Sequence, residues 1–205
     1  MPFRQLSLFF VFGMLLSAAS IFWLDQKLAP QVQVSGDTAR AIWAGITRLG
    51  NSSWMAVLVL TIWAVSYALG NVQPDNARWP RRRKKAVLVF ASVSIPGIIV
   101  LVIKFIAGRG RPYMGDIGFQ PFTYGADFAS WPSGHTTTAF AFAAAVSMAM
   151  PALRWPLFIL AAMTGYSRMA LGVHYLGDVI AGATLGTVGA ILVYRWLAPK
   201  LGIKT

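Results

Sequence analysis

The sequence predicts an all-α integral membrane protein with six transmembrane helices. Of its 205 residues, 57% are hydrophobic and only 12% are charged. The mean hydropathy of +0.60 is far above that of an ordinary soluble domain. Long uncharged stretches recur along the chain, and a helix needs about 20 apolar residues to cross a bilayer. The chain has no cysteine, which excludes disulfides and thiolate chemistry.

The whole chain, residues 1–205, is predicted to form a single membrane-embedded domain. The approximate spans are 6–24, 52–69, 86–107, 132–150, 156–174 and 178–197. The first span could also be a signal peptide, because small residues at 17–19 resemble a cleavage site. We favour a retained helix, since the preceding segment holds only Arg4 and the apolar run continues to Leu24. The Pro96-Gly97 pair is expected to kink the third span.

The segments between the spans differ in character. Residues 25–51 are expected to include an interfacial helix that begins near Ser35 or Asp37, because either residue could cap it. Residues 70–85 are interpreted as a loop that carries a dense basic run. Residues 108–131 form a longer loop, and a loop of this length in a compact protein is more often functional than idle.

The distribution of charge predicts the topology. The net charge is +12, and six basic residues crowd between the second and third spans: Arg78, Arg81, Arg82, Arg83, Lys84 and Lys85. This placement fits the positive-inside rule and an anionic leaflet better than a nucleic-acid-binding face, so we expect no nucleic acid partner. Both termini are therefore predicted to be cytoplasmic.

Three separate stretches carry ionisable residues to the predicted outer, periplasmic face. They are Lys104 to Pro112, Pro132 to His135, and Ser167 to Asp178. The chain contains two histidines, and each lies in one of these stretches. Because ionisable residues at membrane depth are costly and usually functional, this face is the predicted site.

The residue types at this face fit the binding of a phosphoryl group. Lys104, Arg111 and Arg168 can neutralise its oxygens, which is the main task in phosphoryl transfer. Pro132 suits the first turn of a helix. Ser133 and Gly134 could then offer backbone N–H groups at a helix N-terminus, where anions bind readily.

The same face offers a nucleophile and an acid. His174 and Asp178 stand four residues apart, so on one helix they would share a face and could hydrogen-bond. His174, oriented by Asp178, can attack phosphorus, and His135 can donate a proton to the leaving oxygen. Lysine and arginine supply the charge, so no metal or other cofactor is expected.

Each stretch taken alone also has a structural explanation. Lys104 could extend its ammonium group from the end of a span towards water. Residues 132–135 could be an ordinary turn and helix start. The His174–Asp178 pair could hold two helices together without any chemistry.

The arginines have structural alternatives as well. Arg168 could pair with Asp116 or Asp127. Arg109 fits none of the predicted roles, and we interpret it as a loop charge near the membrane surface or as a weak substrate contact. The three stretches together, in this order and on one side of the membrane, are much harder to explain as structural features.

These stretches resemble the type 2 phosphatidic acid phosphatase (PAP2) superfamily. Its three motifs are K-x6-RP, PSGH and SR-x5-H-x3-D. The sequence has K-F-I-A-G-R-G-R-P from Lys104, P-S-G-H from Pro132 and S-R-M-A-L-G-V-H-Y-L-G-D from Ser167. All three motifs match without departure, over about a third of the chain.

The resemblance implies a metal-independent phosphatase with a PAP2-like helical bundle core. The small size and short loops are similar to those of bacterial members, which implies a location in a bacterial inner membrane. It implies a phosphohistidine on His174, with Asp178 orienting the ring and His135 acting as acid and later as base. The phosphate would be held by Lys104, Arg111, Ser133, Gly134 and Arg168. Related soluble haloperoxidases and acid phosphatases share the pocket, but six spans favour a lipid phosphate that arrives from the membrane.

Several functions remain open at this stage. The leading one is hydrolysis of phosphatidic acid, phosphatidylglycerophosphate or undecaprenyl diphosphate. Alternatives are a lipid A 1-phosphatase and a phosphotransferase that uses the same phosphohistidine. A transporter is a remote alternative, because the first, second and sixth spans carry no charge at mid-depth.

Overall fold

The computed structural model describes residues 2–115, 118–123 and 125–203, and within these ranges the chain is helical. The α-helices are α1 Phe3–Trp23, α2 Asp25–Val32, α3 Asp37–Thr47, α4 Ser52–Val72, α5 Arg78–Ala107, α6 Gly134–Ala149, α7 Arg154–Ala170 and α8 Leu176–Leu197. Short 3-10 helices lie at Arg48–Gly50, Pro112–Met114, Pro151–Leu153 and Pro199–Leu201. Over the same ranges there is no strand, only two isolated bridges of Arg109. The predicted all-α class is confirmed.

Helices α6 and α8 form the centre of the bundle. Most residues of α6 are buried, and α5, α7 and α8 pack around it. On α8, a Cβ at Gly182 would collide with the backbone of Ser133, and a Cβ at Gly186 would collide with that of Thr137. Small residues four apart lie on one helix face and allow membrane helices to approach closely. This close contact brings the start of α6 against the start of α8, where the candidate site lies.

Within residues 2–115, 118–123 and 125–203, four helices are long and apolar enough to cross a membrane, rather than the six predicted. They are Phe3–Trp23, Ser52–Val72, Arg78–Ala107 and Leu176–Leu201. Helices α6 and α7 have 16 and 17 residues, which at 1.5 Å per residue gives about 24 and 26 Å. That is less than the hydrocarbon thickness of about 30 Å. The chain is a multi-pass membrane protein.

The basic cluster lies on a helix, which corrects the loop predicted for residues 70–85. Helix α4 continues to Val72, and α5 begins at Arg78, so the cluster forms the first turns of α5. Arginine and lysine are good helix formers. Pro80 sits in the first turn, where its missing N–H has no intrahelical partner to lose. The helix then continues through Pro96 to Ala107.

The segment before α4 also differs from its prediction. Helix α3 begins at Asp37, but its N-cap is Gly36, and no side chain caps it. Residues 25–32 form a separate helix, α2, whose first residue Asp25 is 1% exposed. An aspartate at the start of a helix is favourable for the helix dipole. The burial of Asp25 has a different cause, which is its salt bridge to Arg109 in the candidate site.

Candidate active site

His174 and Asp178 are in contact, but they do not share a helix. Helix α7 ends at Ala170, short of the predicted 174, and α8 begins at Leu176. His174 lies in the connection, where its backbone N–H donates to the carbonyl of Arg168 at 3.2 Å. Asp178 is the third residue of α8, and its Oδ2 accepts the N–H of Tyr175 at 2.9 Å in a capping box. The pairing therefore comes from a helix cap and not from a helix face.

The contact between the two side chains gives the histidine a defined tautomer. The Nδ1 atom of His174 is 3.3 Å from Oδ2 of Asp178. Because a carboxylate only accepts hydrogen bonds, Nδ1 carries the proton and Nε2 is the basic nitrogen. His174 is 4% exposed, and burial lowers its pKa to about 3, against the opposing effect of Asp178. The imidazole is therefore neutral at pH 7, which is the form that can act as a nucleophile.

A buried ion cluster, consisting of Asp25, Arg109 and Asp178, lies behind this pair. Arg109 Nη1 is 2.5 Å from Asp178 Oδ1, and Arg109 Nη2 is 2.8 Å from Asp25 Oδ2. All three side chains are fully buried. The sequence analysis interpreted Arg109 as a loop charge near the membrane surface or as a weak substrate contact. Both interpretations were wrong, because the side chain is buried between two carboxylates. A buried charge needs partners, and two carboxylates supply them here.

Ser130 is a site residue that the sequence did not reveal. Its Oγ donates to Asp178 Oδ2 at 2.5 Å and lies 3.5 Å from Nδ1 of His174. It is fully buried and precedes the cis peptide bond between Trp131 and Pro132. Ser130 lies just outside the predicted 132–135 stretch. Its one signal in the sequence was its position at the end of a loop expected to be functional.

Three cations, Lys104, Arg111 and Arg168, form what we name the open cation group. Lys104 Nζ donates to the carbonyl of Ala129, and a Cβ at Gly134 would lie 3.6 Å from Lys104 Cε. Arg111 donates from Nε to the carbonyl of Ala126 at 2.7 Å and from Nη1 to that of Val173 at 3.1 Å. The group thus links the end of α5, the 108–131 loop and the His174 connection.

Arg168 has a partner other than those predicted. Its Nη1 donates to Thr47 Oγ1 at 2.9 Å, and its buried Nε has no hydrogen-bond partner among the residues described. Asp127 instead accepts from the hydroxyl of Tyr113 at 2.7 Å. The other predicted partner, Asp116, lies outside the described residues.

The second histidine lies at the start of α6, within the field of the open cation group. The charges of Arg168, Lys104 and Arg111 all act on His135. Gly134 is the first residue of the helix, where backbone N–H groups lack intrahelical acceptors. Ser133 differs from its prediction, because its N–H donates to the carbonyl of Asp178 at 3.0 Å. Its backbone therefore joins α6 to α8 instead of offering an anion site.

A cavity of about 640 Å³ ends at this histidine. It runs between α4, α5 and α6, and Gly134 and His135 line its polar end. Apolar side chains line much of the remainder, among them Met55, Val59, Val93, Leu101 and Phe142. An apolar groove between α4, α5 and α6 therefore reaches His135, on which the charges of the open cation group act.

Comparison with known sequences shows the family of the chain. The model of the PAP2 superfamily matches residues 85–201, more than half of the chain. The protein therefore belongs to the PAP2 superfamily. A lipid A 1-phosphatase of Rhizobium etli is 32% identical over 152 residues, which cover 69% of this chain and 64% of the relative. The undecaprenyl-diphosphatase BcrC of Bacillus subtilis is 30% identical over 142 residues, covering 69% of this chain and 66% of that protein.

Solved structures show the same fold. A transmembrane PAP2-type phosphatidylglycerolphosphate phosphatase from Bacillus subtilis superposes with a TM-score of 0.70 at 24% identity, covering 93% of this chain and 94% of that one. The crystal structure of Aquifex aeolicus LpxE gives a TM-score of 0.65 at 20% identity, covering 84% and 95%. The fold neighbours thus extend over almost the whole bundle, beyond the region that carries the motifs.

Proposed function

We propose that this protein is a metal-independent membrane phosphatase that hydrolyses a lipid phosphomonoester or diphosphate. The observation that carries the proposal is that cations of the open cation group act on both histidines, one at the start of α6 and one just before α8. In the described part of the chain, Lys104, Arg111 and Arg168 form no salt bridge, whereas Arg109 forms two. A pocket with an excess of positive charge suits a phosphate dianion.

The proposed reaction has two steps. In the first, which begins with His135 protonated, Nε2 of His174 forms a bond to phosphorus while the bond from phosphorus to the lipid oxygen breaks, and His135 gives that oxygen its proton. In the second, His135 takes a proton from water, the hydroxide oxygen bonds to phosphorus, and the bond between phosphorus and Nε2 breaks. Asp178 balances the positive charge that develops on the imidazole in the first step.

Binding of the phosphoryl group is assigned to Lys104, Arg111 and Arg168 with the helix start at Gly134. The hydrogen bonds of these cations to neutral oxygens hold their side chains in place without neutralising them. Donors that are already oriented stabilise the transition state without reorganising during the reaction. Ser133 contributes by fixing the start of α6 against Asp178.

The substrate is proposed to be a lipid because the apolar cavity leads from helices α4 and α5 to His135. An acyl or polyprenyl chain could occupy the cavity while the phosphate reaches the cations. Related sequences are named for lipid A and undecaprenyl diphosphate. Phosphatidic acid, phosphatidylglycerophosphate, undecaprenyl diphosphate and lipid A 1-phosphate are therefore the substrates to compare.

The site is proposed to face the periplasm, with both termini in the cytoplasm. Gly202, which follows the last 3-10 helix, lies beside Lys84 of the basic cluster, and Lys85 contacts the end of α6 at Ala149. Lys104 lies 19 residues after Lys85 on α5, about 29 Å along the helix axis. The basic cluster and the candidate site are therefore at opposite ends of α5. Because the chain has no cysteine, a single cysteine introduced at exposed Phe122 can be labelled in intact cells with an impermeant maleimide. If a Lys200→Cys variant were labelled and the Phe122→Cys variant were not, the orientation in the membrane would be the opposite of the one proposed.

The central test is phosphate release by the purified protein in detergent with EDTA, across the four lipids. His174→Gln should lower the rate at least about a thousandfold, because it removes the nucleophile. An Asp37→Asn variant, altered on an exposed helix, should match the wild type. Release that does not depend on His174, or no release from any of the lipids, would contradict the proposal. Transfer to a second lipid without free phosphate would indicate a phosphotransferase.

A further inference from the structure

The residue with the least expected location is Asp25, which lies outside all three motifs and outside the region matched by the family model. It belongs to the start of α2, 84 residues before Arg109 in the sequence. Its carboxylate accepts three hydrogen bonds, from Arg109, from Ser20 Oγ at 2.7 Å and from the N–H of Gly177 at 2.9 Å. Gly177 directly precedes Asp178, so Asp25 contacts the catalytic turn both through the backbone and through an arginine.

We propose that Asp25 is a positioning residue for His174, acting through Arg109 and Asp178. This inference rests on the proposed function, because it assigns a role within the same reaction. Asp25 holds the first turn of α8 in place and keeps Arg109 shared between two carboxylates. Asp178 thereby remains an oriented carboxylate whose negative charge is only partly offset by the arginine.

The geometry separates the two oxygens of Asp178. Its Oδ1 contacts Arg109, whereas its Oδ2 accepts from Ser130 and Tyr175 and faces His174. Arg109 therefore fixes the rotation of the carboxylate without occupying the oxygen that orients the histidine. The guanidinium also lies 4.4 Å from the ring centroid of Tyr175, which further restricts its position.

The charges of the buried ion cluster add to −1 when His174 is neutral, because one arginine lies between two aspartates. This charge can balance the positive charge that develops on His174 as its Nε2 bonds to phosphorus. If Asp25 were neutral, Arg109 and Asp178 would cancel each other, and the developing charge would face no net counter-charge. In a buried site with weak screening such a difference acts strongly.

The test uses the full chain in detergent with the best lipid substrate. Asp25→Asn keeps the size and one acceptor oxygen of the side chain but removes its charge. We expect kcat to fall about 10- to 100-fold, with KM changed less than about threefold because the open cation group is untouched. Asp37→Asn is the matched control, because the same substitution is made on an exposed helix.

A second variant separates the effect of charge from the loss of structure. Asp25→Asn combined with Arg109→Gln returns the cluster to −1, although it removes more hydrogen bonds. We expect this double variant to regain at least about threefold in kcat over Asp25→Asn. A folded double variant that is as slow as Asp25→Asn, or slower, would overturn the role of charge.

Two further variants, Ser20→Ala and His174→Gln, complete the test. If Asp25→Asn does not fold, Ser20→Ala removes one donor to Asp25 without changing any charge, and kcat should fall about three- to tenfold at unchanged KM. Wild-type kcat in that folded variant would contradict the inference. His174→Gln is assayed in parallel. If His174→Gln is inactive and Asp25→Asn behaves as wild type, this inference alone fails; if His174→Gln is active, the proposed function fails.

Discussion

Two charged regions lie next to His174, and they differ in whether their cations are paired with carboxylates. In the buried ion cluster, Arg109 lies between two carboxylates, and all three side chains are excluded from solvent. In the open cation group, Lys104, Arg111 and Arg168 are hydrogen-bonded to backbone carbonyls and a threonine hydroxyl. Arg109 and Arg111 are two residues apart, yet among the described residues only Arg109 forms salt bridges with carboxylates.

The difference indicates separate tasks. A cation paired with carboxylates has little attraction left for an anion, so the buried ion cluster can orient Asp178 but cannot bind substrate. Cations held by neutral oxygens keep their charge and repel one another, which costs stability in the absence of an anion. Functional sites often carry such a cost. The open cation group is thus suited to binding phosphate, and the buried ion cluster to positioning the histidine.

Among the variants that test this division between the two regions, Arg168→Gln is expected to have the largest effect on kcat/KM. Arg168→Gln should lower kcat/KM about 10²- to 10³-fold, because it removes a donor aimed at the transferred phosphoryl group. The melting temperature should stay the same or rise, since repulsion within the open cation group decreases. Steady-state kinetics and thermal unfolding in detergent measure both quantities.

The control for this change is Arg154→Gln, at the exposed start of α7. It removes the same charge far along the helix from Arg168 and should leave kcat/KM within about twofold. If Arg168→Gln lowered the melting temperature by several degrees while kcat/KM stayed at the wild-type value, Arg168 would be structural. The division between the two regions would then fail.

A smaller effect concerns the dependence of stability on pH. The pKa of His174 is lowered by burial in the folded protein, whereas an unfolded histidine titrates near 6.5. Below about pH 6.5 the unfolded chain therefore binds a proton that the folded chain does not, and stability falls as pH decreases. Above about pH 7.5 the histidine is neutral in both states and contributes no slope.

The magnitude is bounded by one proton, about 1.4 kcal/mol for each pH unit. We expect the melting temperature of the wild type to fall between pH 7.5 and 5 by several degrees more than that of His174→Gln. Thermal unfolding across this range measures the difference. Equal slopes for the two proteins would mean that His174 is not buried as a neutral base.

Much of the site could be predicted from short-range patterns. The end of α5 at Ala107, the start of α4 at Ser52 and the contact of His174 with Asp178 all agree with their predictions. The reason given for that contact was wrong. The spacing of four residues was interpreted as placing both side chains on the same face of one helix. A helix cap brings residues at the same spacing together, and the hydrophobic pattern does not distinguish the two.

The sequence by itself determined the helical class, the membrane character and the motifs of the family, because these depend on composition and on residues close together in the chain. Only the tertiary structure showed the partners of Asp25, Arg109 and Ser130. Their contacts join residues 84, 69 and 48 positions apart. Periodicity reports which residues share a local face, whereas the partner of a buried charge depends on how distant helices pack.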